Sequence, residues 1–239
     1  MQHVKRTVLV TGASSGIGRA CAVSLLNQGH EVIGISRNCQ QFTHAHALFN
    51  SVEIDLSDLT SLPNNLKQLL KQYPAIDGIV FSAGKGQFSS LEEFSFIQIQ
   101  EIMNLNFISQ SFLAKGFLPA LKRKPLADLI FIGSEAALAG SRKGSIYCAS
   151  KFALRGFSQA LRDECAKSCV RVSLINPGMV KTDFFKSLNF EPGMHQSQHL
   201  YAEDVAIAVN YIINARAGII IDEINLSPAK NVIQFKNNA

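Results

Sequence analysis

The chain has 239 residues, 47% of them hydrophobic, and carries a formal net charge of +5 at pH 7. This length fits one α/β domain with a sizeable core, and the absence of any run of about 18 apolar residues argues against a transmembrane helix. The modest positive charge is dispersed along the sequence, so we expect neither a nucleic-acid partner nor a membrane partner.

Apolar strand-like segments alternate with helix-like segments from end to end. The predicted strands are residues 7–10, 31–36, 51–56, 77–81, 128–132, 170–175 and 218–225. The predicted helices are residues 16–28, 58–72, 95–118, 146–167 and 203–215. Continuous apolar strands separated by helices indicate an α/β fold with a doubly wound parallel sheet of about seven strands and helices on both faces.

No domain boundary or internal repeat interrupts this alternation, so residues 1–239 are interpreted as a single domain. One long irregular stretch, residues 178–200, mixes prolines, glycines, aromatics and histidines. Loops of this length are uncommon in compact domains unless they act as lids or binding loops. We therefore predict that this stretch is a substrate-loop region.

Cysteine usage indicates a reducing compartment and no metal. Five cysteines form an odd set without the close pairs typical of metal sites. Cys165 and Cys169 are one helical turn apart, but no nearby Cys or His completes a ligand set. Residues 1–6 lead directly into a predicted strand with no visible signal peptide. We therefore expect a cytoplasmic protein with reduced thiols, including a packed Cys148.

A glycine-rich turn joins the first predicted strand to the first predicted helix, with the sequence Thr11-Gly12-Ala13-Ser14-Ser15-Gly16-Ile17-Gly18. Open α/β sheets bind ligands at the carboxyl ends of their strands. Glycines let a pyrophosphate approach the backbone, and the free N–H groups of the helix N-terminus favour an anion. The turn therefore predicts a dinucleotide site, with a merely shape-forming turn as the alternative.

Tyr147 and Lys151 are four residues apart on a predicted helix, so their side chains share one face. The pKa of tyrosine is ordinarily near 10, and a fixed positive charge close by lowers it. A phenol tuned toward neutral pH is an effective general acid–base group. By itself, this spacing is a weak signal, because it often arises by chance.

With a threonine in front, the spacing Gly-x-x-x-Gly-x-Gly resembles the short-chain dehydrogenase/reductase family, specifically its short single-domain branch. The resemblance extends from Thr7 to about Pro228. It implies a Rossmann-like fold and an oxidoreductase that interconverts a carbonyl and an alcohol by hydride transfer with a nicotinamide cofactor. It also implies a small-molecule substrate and a homotetramer or homodimer.

The resemblance assigns four catalytic residues. Ser134 would hold the substrate oxygen, and Tyr147 would act as acid–base. Lys151 would lower the Tyr147 pKa and bond the nicotinamide ribose. Asn104 would support a water that connects the lysine to solvent, with Asn106 as the alternative. A loop-capping serine and a surface asparagine are the competing interpretations of Ser134 and Asn104.

The resemblance also assigns the cofactor-binding residues. In the glycine turn these are Gly12, Ser14, Ser15, Gly16, Ile17 and Gly18, and beyond it Asp55, Leu56, Ser82, Ala83, Gly84, Tyr147, Lys151, Pro177, Gly178, Val180 and Thr182. The family ordinarily carries asparagine where this chain has Ser82, which puts the local detail there in doubt. A helix N-terminal cap is the competing interpretation of Asp55.

The end of the second predicted strand indicates which nicotinamide is used. NAD-preferring folds carry an acidic residue there to bond the ribose 2′-OH. Here the strand ends in Ser36 and Arg37, and a guanidinium suits a 2′-phosphate. We therefore predict NADP(H), with NAD(H) as the alternative, and Arg37 assisted by Ser36 or Ser14. A solvent-exposed surface arginine is the competing interpretation.

The sequence thus predicts an NADP(H)-dependent carbonyl/alcohol oxidoreductase whose substrate it does not specify. The main alternative is a catalytically silent dinucleotide sensor or scaffold that keeps the fold without turnover. A non-redox epimerase or dehydratase is a weaker alternative, because such enzymes usually have longer chains and a different glycine spacing.

Overall fold

The structure is a computed structural model that describes residues 4–39 and 46–236. Residues 1–3, which contributed to the signal-peptide expectation, lie outside this description. The strands are β1 (Thr7–Thr11), β2 (Glu31–Ser36), β3 (Phe49–Glu53), β4 (Gly78–Phe81), β5 (Ala127–Ile132), β6 (Val170–Pro177), β7 (Phe190–Pro192), β8 (Glu223–Leu226) and β9 (Ile233–Phe235). The helices are α1 (Gly16–Asn27), α2 (Leu62–Gln72), α3 (Phe96–Met103), α4 (Ser109–Leu121), α5 (Ser145–Glu164) and α6 (Ala202–Ile213).

Seven strands form a parallel sheet in the order β3-β2-β1-β4-β5-β6-β8. This confirms the predicted Rossmann-like doubly wound sheet. Alternate residues of a strand face opposite sides, and β1 illustrates this. Leu9 belongs to the core beneath α2, α4 and α5, whereas Val8 and Val10 belong to the core beneath α1 and α6. Both faces are therefore buried, which explains the continuous apolar strands.

The sheet has a topological switch point between β1 and β4. The two strands are neighbours, but the chain leaves β1 for α1 on one face and leaves β4 for α3 and α4 on the other. The diverging connections open a crevice at the carboxyl ends of these strands, where doubly wound sheets bind their ligands.

A buried cluster of charges joins the opposite, amino-terminal ends of the central strands. Asp128 on β5 is fully buried and pairs with Arg171, its neighbour in register on β6, through oxygen–nitrogen distances of 2.7 and 2.9 Å. Arg6 also lies 3.0 Å from Asp128 and 2.9 Å from Asp77. Two guanidinium groups thus depend on one buried carboxylate.

Besides shifts of a few residues at element ends, such as β3 and the start of α2, the structure departs from the predicted elements in three places. The predicted helix over residues 95–118 is divided by a π-helical turn at Asn104–Ile108. The last strand of the parallel sheet begins at Glu223, later than expected. The pair β7 and β9 forms a two-stranded antiparallel sheet that the sequence did not indicate. Each of these two strands has three residues, too few for a periodic pattern.

The described residues contain no helix that is both long enough and apolar enough to cross a membrane. They also contain no group of three His, Cys, Asp or Glu side chains arranged to hold a metal ion.

Candidate active site

A cleft of about 1120 Å³ lies at the carboxyl ends of the parallel strands. It brings together most of the predicted site residues from distant parts of the sequence. Those that line it are Gly12, Ser15, Gly16, Ile17, Gly18, Ser82, Ala83, Gly84, Ser134, Tyr147, Lys151, Pro177, Gly178, Val180 and Thr182. The glycine turn and the Tyr147–Lys151 pair therefore share one cavity.

The glycine turn has the geometry of an anion cradle. Gly12 and Gly16 have φ values of +68° and +50°, in the left-handed region that favours glycine. A Cβ atom at Gly18 would overlap the carbonyl oxygen of Gly12. The turn leads into the N-terminus of α1, whose first turn carries no acidic residue. Free N–H groups and an unopposed helix dipole at this point fit the pyrophosphate of a dinucleotide.

Thr11 ties the glycine turn to the segment after β4. Its hydroxyl oxygen accepts the backbone N–H groups of Ser82 at 2.9 Å and Ala83 at 3.0 Å. The Gln110 side chain donates to the Ala83 carbonyl at 3.0 Å from the other side. These bonds use the backbone at Ser82, so the serine in place of asparagine leaves this anchor intact. Sequence reasoning did not assign Thr11 or Gln110 a role in the site.

Ser134 lies two residues beyond the end of β5, and its side chain interacts with Tyr147. Its hydroxyl oxygen accepts the backbone N–H of Ala136 at 3.2 Å, which caps the short turn Glu135–Ala137. A hydrogen bond also links the Ser134 side chain to the Tyr147 phenol. The capping interpretation and the catalytic one are therefore compatible.

Tyr147 and Lys151 lie one turn apart on α5, as predicted, and both are buried. The Lys151 Nζ lies 5.8 Å from the centre of the Tyr147 ring and donates to the carbonyl of Ile132 at 3.1 Å. Ile132 ends β5, so the strand that presents Ser134 also fixes the lysine. Lys151 on the helix is thus bonded to the end of the strand that precedes Ser134.

The expectation that Lys151 lowers the Tyr147 pKa is not met in the chain by itself. Burial raises the pKa of Tyr147 to about 12, although the hydrogen bond from Ser134 opposes this shift. Burial also lowers the pKa of Lys151 to about 8. Removal from water disfavours the charged form of each group and is the largest cause of both shifts. At neutral pH the phenol is protonated and suited to donate a proton.

The structure favours Asn106 over Asn104 as the asparagine of the site. Neither asparagine lines the cleft, and Asn104 is only half-buried. Asn106 is fully buried, accepts the Lys85 N–H at 2.9 Å, and donates to the Lys85 carbonyl at 2.9 Å and to the Ser150 hydroxyl at 3.1 Å. An ideal Cβ at Gly84 would lie 3.2 Å from Asn106 Oδ1 and 3.9 Å from Lys151 Nζ. Asn106 is therefore the residue near the lysine.

Several predicted cofactor residues lie outside the cleft. Ser14 and the buried Ser36 and Leu56 do not line it, and Arg37 is exposed just beyond β2. Asp55 accepts the backbone N–H of Ser57 at 2.9 Å and its hydroxyl at 2.6 Å, so it closes a local turn. That turn precedes α2 without capping it, so Asp55 is not the N-terminal cap of this helix either.

Aromatic side chains surround the phenol. Phe88 lies 5.0 Å from the Tyr147 ring, and Phe184 lies 6.0 Å from it, measured between ring centres. A Cβ at Gly86 would overlap the ring of Phe184, so the missing side chain lets the loop after β6 fold over the segment after β4. The sequence signal for this aromatic surrounding was the closely spaced Phe184, Phe185 and Phe190 within residues 178–200.

Lys151→Met should raise the stability of the ligand-free protein at neutral pH. The Lys151 pKa falls from 10.5 to about 8 on folding, so below pH 8 the ammonium is charged in both states and the folded state bears the burial penalty. Methionine removes that charge, and we expect the free energy of unfolding at pH 7 to rise by about 1–3 kcal/mol. Urea titrations across pH would measure it.

The gain should vanish above pH 10.5, where the amine is neutral in both the folded and unfolded states. Lys67→Met, at an exposed lysine on α2, is the matched control and should show no such pH dependence. A stability loss at pH 7 for Lys151→Met would contradict the prediction.

The comparisons with known proteins agree with this geometry. The model of the short chain dehydrogenase family matches residues 6–192. The chain belongs to the short-chain dehydrogenase family. Short-chain dehydrogenases are oxidoreductases that interconvert carbonyl and alcohol groups with NAD(P), and this protein is an enzyme of that class.

Two curated relatives and one solved structure illustrate the similarity. A probable short-chain type dehydrogenase/reductase, VdlC of Helicobacter pylori, is 34% identical over 204 residues, which covers 85% of this chain and 74% of the relative. The sepiapterin reductase of Chlorobaculum tepidum is 28% identical over 248 residues, covering 97% and 99%. An alcohol dehydrogenase from Thermococcus sibiricus, complexed with 5-hydroxy-NADP, superposes with a TM-score of 0.86 at 26% identity, covering 96% and 99%. The family resemblance and the predicted fold are thereby confirmed.

Proposed function

We propose that this short-chain dehydrogenase is an NADP(H)-dependent oxidoreductase that interconverts a carbonyl and an alcohol, with Tyr147 as its acid–base group. The observation that carries the proposal is that Ser134, Tyr147 and the buried Lys151 line the same cleft as the glycine cradle. Oxidation of NADPH by the purified protein, followed across a panel of ketones and aldehydes, tests it directly. Turnover of none of them would contradict it.

Each residue of the site has a definite task in carbonyl reduction. When bound, the nicotinamide supplies the hydride for reduction and accepts it for oxidation. Ser134 donates its O–H to the carbonyl oxygen and stabilises the negative charge that grows there. Tyr147, protonated at neutral pH, donates its proton to the same oxygen. The alcohol leaves a phenolate behind on Tyr147.

Lys151 and Asn106 complete the proton transfer. The Lys151 ammonium stabilises the phenolate that forms on Tyr147, because the opposite charge is held nearby in a site of low dielectric. The Ile132 carbonyl fixes the lysine in place. Asn106, beside the lysine and bound to Lys85 and Ser150, is proposed to take the role first assigned to Asn104: support of a water that returns a proton from solvent.

Arg37 supports NADP(H) as the preferred cofactor. It follows β2 directly, its side chain is exposed, and no acidic residue ends the strand to bond a ribose 2′-OH. The Thermococcus sibiricus structure holds an NADP derivative. Ser36 directly precedes Arg37, Ser14 lies in the glycine turn, and either could assist Arg37; NAD(H) is the alternative cofactor.

Arg37→Ala should lower kcat/KM for NADPH by about tenfold to a hundredfold, because a charge-assisted contact of about 1.5–3 kcal/mol is lost. The value for NADH should change little. Steady-state kinetics with both cofactors would measure the ratio. Arg123→Ala, at an exposed arginine beyond the far end of α4, should leave it unchanged. An NADPH preference that survives Arg37→Ala would contradict the assignment.

The remaining proposals concern organisation. We propose a single Rossmann-like domain over residues 1–239, with residues 178–200 as its substrate-loop region, that binds a small-molecule carbonyl or alcohol. Assembly as a homotetramer or homodimer is supported by large apolar side chains left exposed on α3 and α5, namely Phe96, Ile97 and Phe152. Light scattering would give the number of subunits, and a monomer would contradict this proposal.

A further inference from the structure

A continuous track of aromatic rings leads from the reacting phenol toward solvent. Phe88 contacts Tyr147 at 5.0 Å and Phe190 at 5.1 Å between ring centres. Phe185 lies 5.8 Å from Phe190, and Phe184 lies 5.1 Å from Phe185. All of these side chains line the cleft. The wall of the cleft beside the Tyr147 hydroxyl is therefore apolar over more than the width of one aromatic ring.

The C-terminal strand extends this wall to the mouth of the cleft. Phe190 on β7 pairs with Phe235 on β9, and directly opposed residues of an antiparallel pair share one face. Ile233, two residues before Phe235, lies on that face too. Both side chains line the cleft, although they are 52% and 71% exposed for Ile233 and Phe235 respectively. Large apolar groups that face both water and a binding cleft favour an apolar ligand.

The outer wall is held in place by bonds from the end of the described chain. The backbone N–H of Lys236 donates to the Asn189 carbonyl at 2.9 Å, and its Nζ donates to the Phe185 carbonyl at 2.5 Å. The Gly193 N–H donates to the Val232 carbonyl at 3.1 Å. The track is therefore a built surface whose position is set by two segments distant in sequence.

Charged groups flank the track without interrupting it. Arg142 and Lys143 also line the cleft and are exposed, and the Lys143 carbonyl accepts the backbone N–H of Ser89, the residue after Phe88, at 2.8 Å. Glu135 lies near Gly178, where an ideal Cβ would be 3.0 Å from its Oε2. Asp183 is paired with Lys186 at 2.9 Å. The contacts that connect Tyr147 to Phe235 run through Phe88 and Phe190 and involve no charged side chain.

We propose that the substrate is an extended apolar carbonyl compound whose chain lies along the track Tyr147–Phe88–Phe190–Phe235, with β9 as its outer wall. This inference rests on the proposed carbonyl/alcohol activity and specifies its substrate class. Compact polar carbonyls, such as sugars and short hydroxy acids, bury little surface against this wall and are poor substrates. Phe190, Phe235 and Ile233 are specificity-determining residues, because they contact the apolar chain of the substrate and not its reacting atoms.

A series of straight-chain methyl ketones from butanone to decanone tests the inference. With NADPH saturating, kcat/KM should rise with each added methylene by up to about fourfold, the factor for complete burial of one CH₂ group. The rise should come mainly through KM, because the track binds the chain away from the reacting atoms. A flat series, or a fall with chain length, would overturn the proposal.

Two variants locate the effect on the track. Phe235→Ala should flatten the rise for the longer ketones. Phe190→Ala should flatten it from shorter chain lengths, and Phe190→Leu should restore most of the slope. Phe96→Ala, which removes a ring that is 87% exposed on α3 and outside the cleft, is the matched control. An unaltered slope in Phe235→Ala and Phe190→Ala would overturn the proposed location.

The outcomes separate this inference from the function on which it rests. If the wild-type protein reduces butanone and decanone equally well, the oxidoreductase assignment stands and the apolar track is wrong. If it reduces no carbonyl, decanol should still raise the Tm of the NADPH-bound protein more than butanol does, and Phe235→Ala should remove the difference. Equal Tm shifts for both alcohols would overturn the track independently of turnover.

Discussion

Tyr147→Phe should lower kcat/KM for carbonyl reduction by about a hundredfold to ten-thousandfold, the range contributed by a positioned general acid. Phenylalanine keeps the ring that packs against Phe88 and Phe184 but has no proton to donate. The change also removes the partner of the Ser134 hydroxyl. NADPH oxidation with any ketone that the wild-type protein reduces would measure the loss.

Binding and folding controls distinguish lost chemistry from lost structure. NADPH fluorescence titration should give a Kd within severalfold of the wild-type value, since the glycine cradle is untouched. Tyr211→Phe, at a phenol that is 64% exposed on α6, should retain full activity. Undiminished reduction by Tyr147→Phe would contradict the mechanism. NADPH binding without turnover in the wild-type protein would instead favour the sensor or scaffold alternative.

Asp128→Ala should destabilise the fold by about 3–5 kcal/mol, the range for breaking a buried ion pair. Its two oxygens lie 2.7 and 2.9 Å from Arg171, and Arg6 lies 3.0 Å away. Alanine would leave two buried guanidinium groups with one fewer counter-charge and a cavity between β5 and β6. Urea denaturation followed by circular dichroism would measure the change.

A surface ion pair provides the matched comparison. Asp163 lies 3.5 Å from Arg162 and is 83% exposed, so Asp163→Ala should change stability by less than about 1 kcal/mol. Asp128→Asn keeps the hydrogen-bond acceptor, so its loss of stability should lie between those of Asp128→Ala and Asp163→Ala. If Asp128→Ala does not fold, Asp128→Asn still tests the prediction. Equal stability of the Asp128 and Asp163 variants would contradict it.

The sequence was sufficient for those features that are encoded locally. Apolar strands and the glycine turn follow from patterns of a few residues, so β1, the turn and α1 lie where expected. Tyr147 and Lys151 share a helix face because four residues make one turn. Ser134 follows β5 as the resemblance implied.

Features that depend on tertiary packing were not accessible from the sequence. The π-helical turn at Asn104–Ile108 changes the helical phase, and it is Asn106 rather than Asn104 that is buried near Lys151. The Tyr147 pKa depends on desolvation, which the four-residue spacing does not reveal. The pairing of β7 with β9 joins segments about forty residues apart that have no periodic pattern.

The position of β9 bears on how the protein is prepared for kinetics. The described chain ends at Lys236, one residue beyond Phe235 at the mouth of the cleft. A purification tag attached after this strand would emerge beside the entering substrate and compete for its apolar surface. The described chain starts shortly before β1, at the amino-terminal ends of the parallel strands and opposite the cleft at their carboxyl ends, where a tag lies far from the chemistry. Activities measured with the tag at one end and then at the other would differ most for the largest substrates.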